Sequence, residues 1–165
     1  MEQMLALLQP NLAVDSIFHI DLAVLRKKGI KYLLIDMDNT ITEWNNHCLP
    51  DRAIEWFQRL DDFGIKACLV SNNTESKVNQ VAKALGVPSV GKAQKPRKKA
   101  FRKAMELLGA RRENTAMVGD QIFTDVLGGN RLGLFTILVI PVSTKEFFGT
   151  KFVRLLEKII LKKSR

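Results

Sequence analysis

Two aspartates, Asp36 and Asp38, follow directly on the apolar run Leu33-Leu34-Ile35. A short apolar run of this kind reads as a buried strand of a parallel sheet. The C-terminal end of such a strand is where an open α/β sheet holds its ligand. Two carboxylates two residues apart at that place repel each other and lose hydration unless a divalent cation or a shared proton offsets the cost. The pair is therefore a candidate metal and acid–base site. Further along come Ser71-Asn72-Asn73, then Lys95, then Gly119-Asp120 with Asp125 five residues beyond.

These residue types suit phosphate chemistry. A phosphomonoester resists hydrolysis so strongly that enzymes accelerate it up to about 10²¹-fold. Catalysis needs charge against the phosphoryl oxygens, a nucleophile in line and a proton for the leaving oxygen. A carboxylate such as Asp36 can attack phosphorus and split one hard step into two easier ones. Asp38 is placed to donate the proton and later to activate water. Asp36, Asp120 and a backbone carbonyl are hard oxygen donors of the kind Mg²⁺ takes. Ser71, with Asn72 beside it, and Lys95 would hold the remaining phosphoryl oxygens. Each piece alone has an ordinary alternative: a turn, a loop carboxylate, or Asp120 capping the helix that follows it. The order and spacing of all of them together are what carry the reading.

The elements that must position these groups alternate regularly. Ile30–Ile35 reads as a strand and Pro50–Phe63 as a helix closed by Gly64. Ile65–Val70 is a second strand, and Thr74–Leu85 a helix stopped by Gly86. Pro88–Val90 is a short third strand, and Pro96–Leu108 a basic helix with proline first and Gly109 after it. Thr115–Val118, the helix Phe123–Asn130 and the strand Phe135–Ile140 complete the series. Such βα alternation predicts an α/β fold, a Rossmann-like parallel sheet with helices on both faces. Asp36, Ser71, Lys95 and Asp120 are 35, 24 and 25 residues apart, each about one βα unit, so all four fall at one sheet edge. The expected organisation is one domain over residues 1–165: a flank at 1–29, a catalytic core at 30–140, and an amphipathic helix within 141–165. In that last segment Phe152, Leu155, Leu156, Ile159 and Ile160 form an apolar stripe opposite Lys151, Arg154, Lys158 and Lys162.

Composition sets the class. The chain has 165 residues, 46% hydrophobic and 26% charged, enough for a full core and unlike a disordered chain. Its longest apolar runs, such as Ile137–Ile140, are too short for a membrane span. The opening Met1-Glu2-Gln3-Met4 lacks a basic secretory n-region, and Cys48 and Cys68 form no pattern, which suggests a reducing cytoplasmic setting. The net charge of +9 is clustered: residues 92–112 carry +8 and residues 141–165 carry +5. Clusters of this kind attract phosphorylated substrates, anionic lipid surfaces or nucleic acid.

Asp36-Met37-Asp38-Asn39-Thr40, Ser71, Lys95 and Gly119-Asp120…Asp125 resemble, in order, the four motifs of the haloacid dehalogenase (HAD) superfamily. The resemblance implies a Mg²⁺-dependent phosphatase with Asp36 as nucleophile and Asp38 as acid and base. It implies that Asp36, the Asp38 carbonyl and Asp120 ligate the metal, with Asp125 a further acidic group close by. Phosphatases and mutases of the superfamily carry aspartate at the Asp38 position, whereas its transport ATPases carry threonine. The short intervals between motifs leave no room for a cap domain, so the chain resembles the capless subclass III, whose open sites suit bulky substrates. Along nearly its whole length it is similar to the YqeG family and to the mitochondrial phosphatidylglycerophosphate phosphatases. That likeness implies a lipid phosphate as substrate and peripheral contact with the inner face of an anionic membrane. The competing reading is a basic RNA- or ribosome-associated protein, or a nucleic-acid phosphatase, with these motifs in a secondary role. A receiver domain is disfavoured, because its acidic pair, hydroxyl and lysine come in a different order.

Overall fold

The computed structural model describes residues 2–43 and 48–142. Six strands in these residues form one sheet: β1 (Leu12–Val14), β2 (Tyr32–Ile35), β3 (Lys66–Val70), β4 (Ser89–Val90), β5 (Thr115–Gly119) and β6 (Phe135–Val139). Their spatial order is β1-β6-β5-β2-β3-β4, and every pair is parallel. Six α-helices accompany them: α1 (Glu2–Ala6), α2 (Leu22–Lys27), α3 (Asp51–Asp62), α4 (Glu75–Leu85), α5 (Lys98–Leu108) and α6 (Leu127–Asn130). The expected parallel α/β architecture is what forms, and only α3 among the described elements lies between Asp36 and β3.

Successive strand residues point to opposite faces, and here both faces are covered. Leu33, Ile35, Ala67, Leu69, Ala116 and Val118 share one buried cluster with Trp56, Phe57 and Leu60 of α3 and Val78, Val81 and Ala82 of α4. Leu34, Cys68, Val70 and Met117 turn to the other side and meet Ala100, Phe101 and Ala104 of α5. Two-sided burial explains why the central strands read as continuous apolar runs rather than as alternation. Helix ends follow local chemistry: Asp21 Oδ1 accepts the Val24 amide at 3.0 Å to open α2. Gly86 and Gly109, at φ of 70° and 64°, close α4 and α5 in the left-handed region that suits glycine.

The structure departs from the sequence reading in three places. The segment before Ile30 supplies a strand, β1, which pairs with β6 and extends the sheet to six. The basic helix begins at Lys98 rather than Pro96, because the Arg97 amide folds back to the Gln94 carbonyl (3.0 Å) and Arg97 is still extended. The helix expected over Phe123–Asn130 instead starts with a wide π-helical turn over Ile122–Val126 before α6. The amphipathic helix expected within 141–165 lies outside the described residues. No helix among the described residues is long and apolar enough to cross a membrane. Cys48 is exposed and Cys68 buried, and neither is in a disulfide.

Candidate active site

β2 runs between β5 and β3, so the loops after all three strands meet at one edge. The Asp36 amide extends the ladder by donating to the Val118 carbonyl at 2.9 Å. Immediately afterwards the chain reverses through Asn39, whose φ of 60° is a left-handed conformation that asparagine tolerates better than most residues. The Asn39 amide closes this turn on the Thr42 carbonyl at 2.7 Å. It brings the Thr40 hydroxyl to Asp36 Oδ2 at 3.2 Å.

Lys95 reaches the same carboxylate from the other side. Its Nζ lies 2.7 Å from Asp36 Oδ1 and 2.7 Å from Asp125 Oδ1, with all three side chains buried. Burial works against the lysine charge, but the Asp125 and Asp36 carboxylates outweigh it and hold its pKa above the ordinary value. The loop carrying Lys95 is held open by left-handed backbone at Lys92 (φ 45°) and Gln94 (φ 53°), the kind of local strain that concentrates at functional sites. Asn72 fixes that loop, its Oδ1 accepting the Lys95 amide at 2.8 Å. Asn72, read from the sequence as a phosphate ligand, is thus engaged in placing Lys95.

Asp38 faces a different pair. Its Oδ2 receives the Ser71 hydroxyl at a long 3.4 Å and the Asn73 side-chain amide at 3.3 Å, while the Asn73 backbone amide donates to Ser71 Oγ at 3.1 Å. Asn73 was not singled out from the sequence. Nothing in Ser-Asn-Asn distinguishes the asparagine that turns toward the Lys95 loop from the one that turns toward Asp38.

Asp36, Asp120 and Asp125 bring carboxylate oxygens within 4.8 Å of one another, all buried. The wide turn over Ile122–Val126 folds Asp125 back so that its Oδ2 accepts the Gln121 amide at 3.2 Å. Room for it exists only because residue 119 is glycine: a Cβ there would overlap the Asp125 carboxyl group. Burial above all pushes the Asp125 carboxyl up to about 6, with Asp36 adding to the rise and Lys95 opposing it. Three carboxylates against one ammonium leave the buried cluster net negative, a state that costs heavily without further positive charge. The donors are all carboxylate oxygen, with no sulfur or imidazole among the described residues of the cluster. That set fits a hard divalent cation. The structure therefore brings every residue expected at the sheet edge (Asp36, Asp38, Ser71, Asn72, Lys95, Asp120 and Asp125) into one neighbourhood.

Comparison with known proteins agrees with this geometry. The family model of the haloacid dehalogenase-like hydrolases matches residues 18–133. The chain is 43% identical over 152 residues to a Bacillus subtilis protein described as "Probable phosphatase YqeG", covering 92% of this chain and 88% of that one. It is 34% identical over 166 residues to the chloroplastic phosphatidylglycerophosphate phosphatase 1 of Chlamydomonas reinhardtii, covering 90% of this chain and 59% of the relative. Among solved structures, the cobalt-bound deoxy-D-mannose-octulosonate 8-phosphate phosphatase of Haemophilus influenzae superposes with a TM-score of 0.55 at 17% identity, covering 82% of this chain and 89% of that chain. At that identity the likeness speaks for the fold alone. From the shared family model and the extent of the YqeG match, the chain belongs to the haloacid dehalogenase-like hydrolases and, within them, is a phosphatase of the YqeG family.

Proposed function

We propose that this phosphatase works through Asp36 as nucleophile and Asp38 as acid and base, with Mg²⁺ as its metal, on a lipid phosphate of the phosphatidylglycerophosphate class. The observation that carries the chemical part is the setting of Asp36. One oxygen is held by Lys95 and the other by Thr40, so the carboxylate keeps one orientation at the end of β2. An Asp36 oxygen attacks phosphorus as the bond to the leaving oxygen breaks, and that oxygen takes a proton from Asp38. Asp38, now a carboxylate, takes a proton from water. The water oxygen attacks phosphorus, the bond to Asp36 breaks, and inorganic phosphate leaves. Lys95 and the Ser71 hydroxyl lie where phosphoryl oxygens need positive charge and hydrogen bonds. Asn72 and Asn73 position Lys95 and Asp38 respectively. Asp36, the Asp38 carbonyl and Asp120 would hold Mg²⁺, which when bound supplies Lewis-acid charge to the phosphoryl group. Asp125 both neighbours that site and anchors Lys95.

The lipid part rests on two supports. A relative that matches 90% of this chain is named for phosphatidylglycerophosphate hydrolysis. Among the described elements only α3 lies between Asp36 and β3, and only α4 and β4 between Ser71 and Lys95. No cap domain is inserted there, an arrangement that suits a bulky headgroup. In this reading residues 1–165 act as one catalytic domain. The test is phosphate release with Mg²⁺ from phosphatidylglycerophosphate vesicles, a small aryl phosphate and a 3′-phosphorylated oligonucleotide, with Asp36→Asn as control. Rapid, Asp36-dependent release from the lipid supports the whole proposal. Release from the oligonucleotide in preference to the lipid refutes the substrate, and full activity in Asp36→Asn refutes the mechanism.

A further inference from the structure

Residues 92–103 hold seven lysines and arginines and no acid. Lys95 is consumed in the buried site, and the other six point elsewhere. Lys92, Arg97, Lys99, Arg102 and Lys103 are exposed, and Lys98 is half-buried. Among the described residues none of the six has a carboxylate in ion-pair contact, and Arg97 donates only to the Gln94 side chain at 3.0 Å. The packing face of α5 is separate, formed by Ala100, Phe101 and Ala104.

The arrangement opposes the helix's own stability. A helix N-terminus favours acids and its C-terminus favours bases, yet α5 has no acid in its first turn and no base in its last. Lys98 with Arg102, and Lys99 with Lys103, set like charges one turn apart, where they repel. Glu106, one turn beyond Arg102 and Lys103, is the single acid of α5. The first two turns thus carry one sign, where a face meant only for solubility would mix them. Local rules broken in one direction at one place mark a functional surface. Lys98 to Lys103 span roughly 8 Å of helix, close to one screening length at physiological salt, so the charges act together on a partner. Two residues separate Lys95 from the start of α5, so the surface borders the phosphate site.

We propose that this face, Lys98, Lys99, Arg102 and Lys103 with Lys92 and Arg97 beside them, docks the chain on an anionic lipid bilayer and presents the neighbouring site to headgroups. The proposal rests on the lipid reading above for its choice of partner. A nucleic acid is the competing polyanion, but single strands are usually held by stacking on exposed aromatics, and Phe101, the one aromatic of α5, is fully buried.

The test uses the full chain, wild type and the triple variant Lys99→Gln/Arg102→Gln/Lys103→Gln. Partition is measured on vesicles of pure phosphatidylcholine and of phosphatidylcholine with 30% phosphatidylglycerol, at low and high salt. Release of phosphate from a soluble aryl phosphate reports the fold and site independently. Wild type should bind the phosphatidylglycerol vesicles alone and be released by salt. Each basic residue near such a surface favours binding about fivefold, so the variant should bind on the order of a hundredfold more weakly, with aryl phosphate turnover unchanged. Equal binding by variant and wild type overturns the proposal, as does no binding by wild type. Preference for a 20-nucleotide RNA over the vesicles overturns it in favour of nucleic acid. If the triple variant loses aryl phosphate turnover, the single change Lys103→Gln decides: a several-fold drop in binding upholds the proposal and none overturns it. Asp36→Asn separates the two readings, because it should abolish turnover and leave vesicle binding intact.

Discussion

Replacing Lys95 with methionine keeps a long flexible stem and removes only the charge that joins Asp36 to Asp125. Breaking a buried pair by deleting one partner costs about 3–5 kcal/mol, because the remaining charge is left uncompensated. For a chain of this size each kcal/mol moves the midpoint by about 2–4 °C, so the variant should melt roughly 6–20 °C lower at pH 7.5. The pH dependence gives a sharper signature. A carboxyl whose pKa is higher folded than unfolded adds stability that is complete below the unfolded value and lost as pH climbs through the folded one. For Asp125 in the metal-free native protein that window runs from the ordinary carboxyl value of 3.8 to about 6. Lys95 opposes the rise, so without it the folded pKa moves higher and the variant goes on losing stability where the native protein has levelled off. Thermal unfolding followed by circular dichroism in EDTA, from pH 4 to pH 8, reads both effects. The gap between the curves should widen above pH 6 and narrow toward pH 4. A loss below about 1 kcal/mol at pH 7.5, or a gap independent of pH, refutes the reasoning.

Three further outcomes follow from the site. Mg²⁺ at a hundred times its dissociation constant should stabilise the native protein by about 2.7 kcal/mol, read as a rise in midpoint over the EDTA sample, and Asp120→Asn should blunt that rise. Gly119→Ala should cost about 1–3 kcal/mol through overpacking and lower phosphate release, measured by unfolding and turnover together; wild-type stability would show that Asp125 can move aside freely. Asn73→Ala removes a side-chain donor to Asp38, so kcat should fall about tenfold with KM little changed and the acid limb of the pH–rate profile should shift upward, whereas a purely structural role would leave the profile in place.

What the sequence disclosed depended on whether a residue's signal was local. Leu33–Ile35 followed by Asp36 and Asp38 announces a buried strand and its ligand edge, because two-sided burial writes an unbroken apolar run. The βα spacing then places Ser71, Lys95 and Asp120 without knowledge of any contact. Leu12–Val14 carries no such mark: it is three residues long, largely exposed at the edge, and becomes a strand only by pairing with β6. The turn over Ile122–Val126 was equally hidden, because its shape follows from Asp125 folding back to the Gln121 amide and Lys95. Asn72 and Asn73 are adjacent and chemically identical, so only the folded loop assigns one to Lys95 and the other to Asp38.

The pairing of β1 with β6 also bears on how the chain is made. Asn11 and Thr136 exchange hydrogen bonds across 125 residues, the Asn11 amide giving to the Thr136 carbonyl at 2.9 Å and Asn11 Oδ1 accepting the Thr136 amide at 2.8 Å. Leu12–Val14 then pair with Ile137–Val139 in parallel. At about 5–20 residues per second on the ribosome, roughly 6–25 seconds pass between synthesis of the two partners. Closure of so long a loop comes late in folding because its entropy must be lost before the contact repays it. Among the described elements only α3 separates the central strands β2 and β3, which can pair while β6 is still unmade. Of the six described strands, β1 is made first and finds its place late.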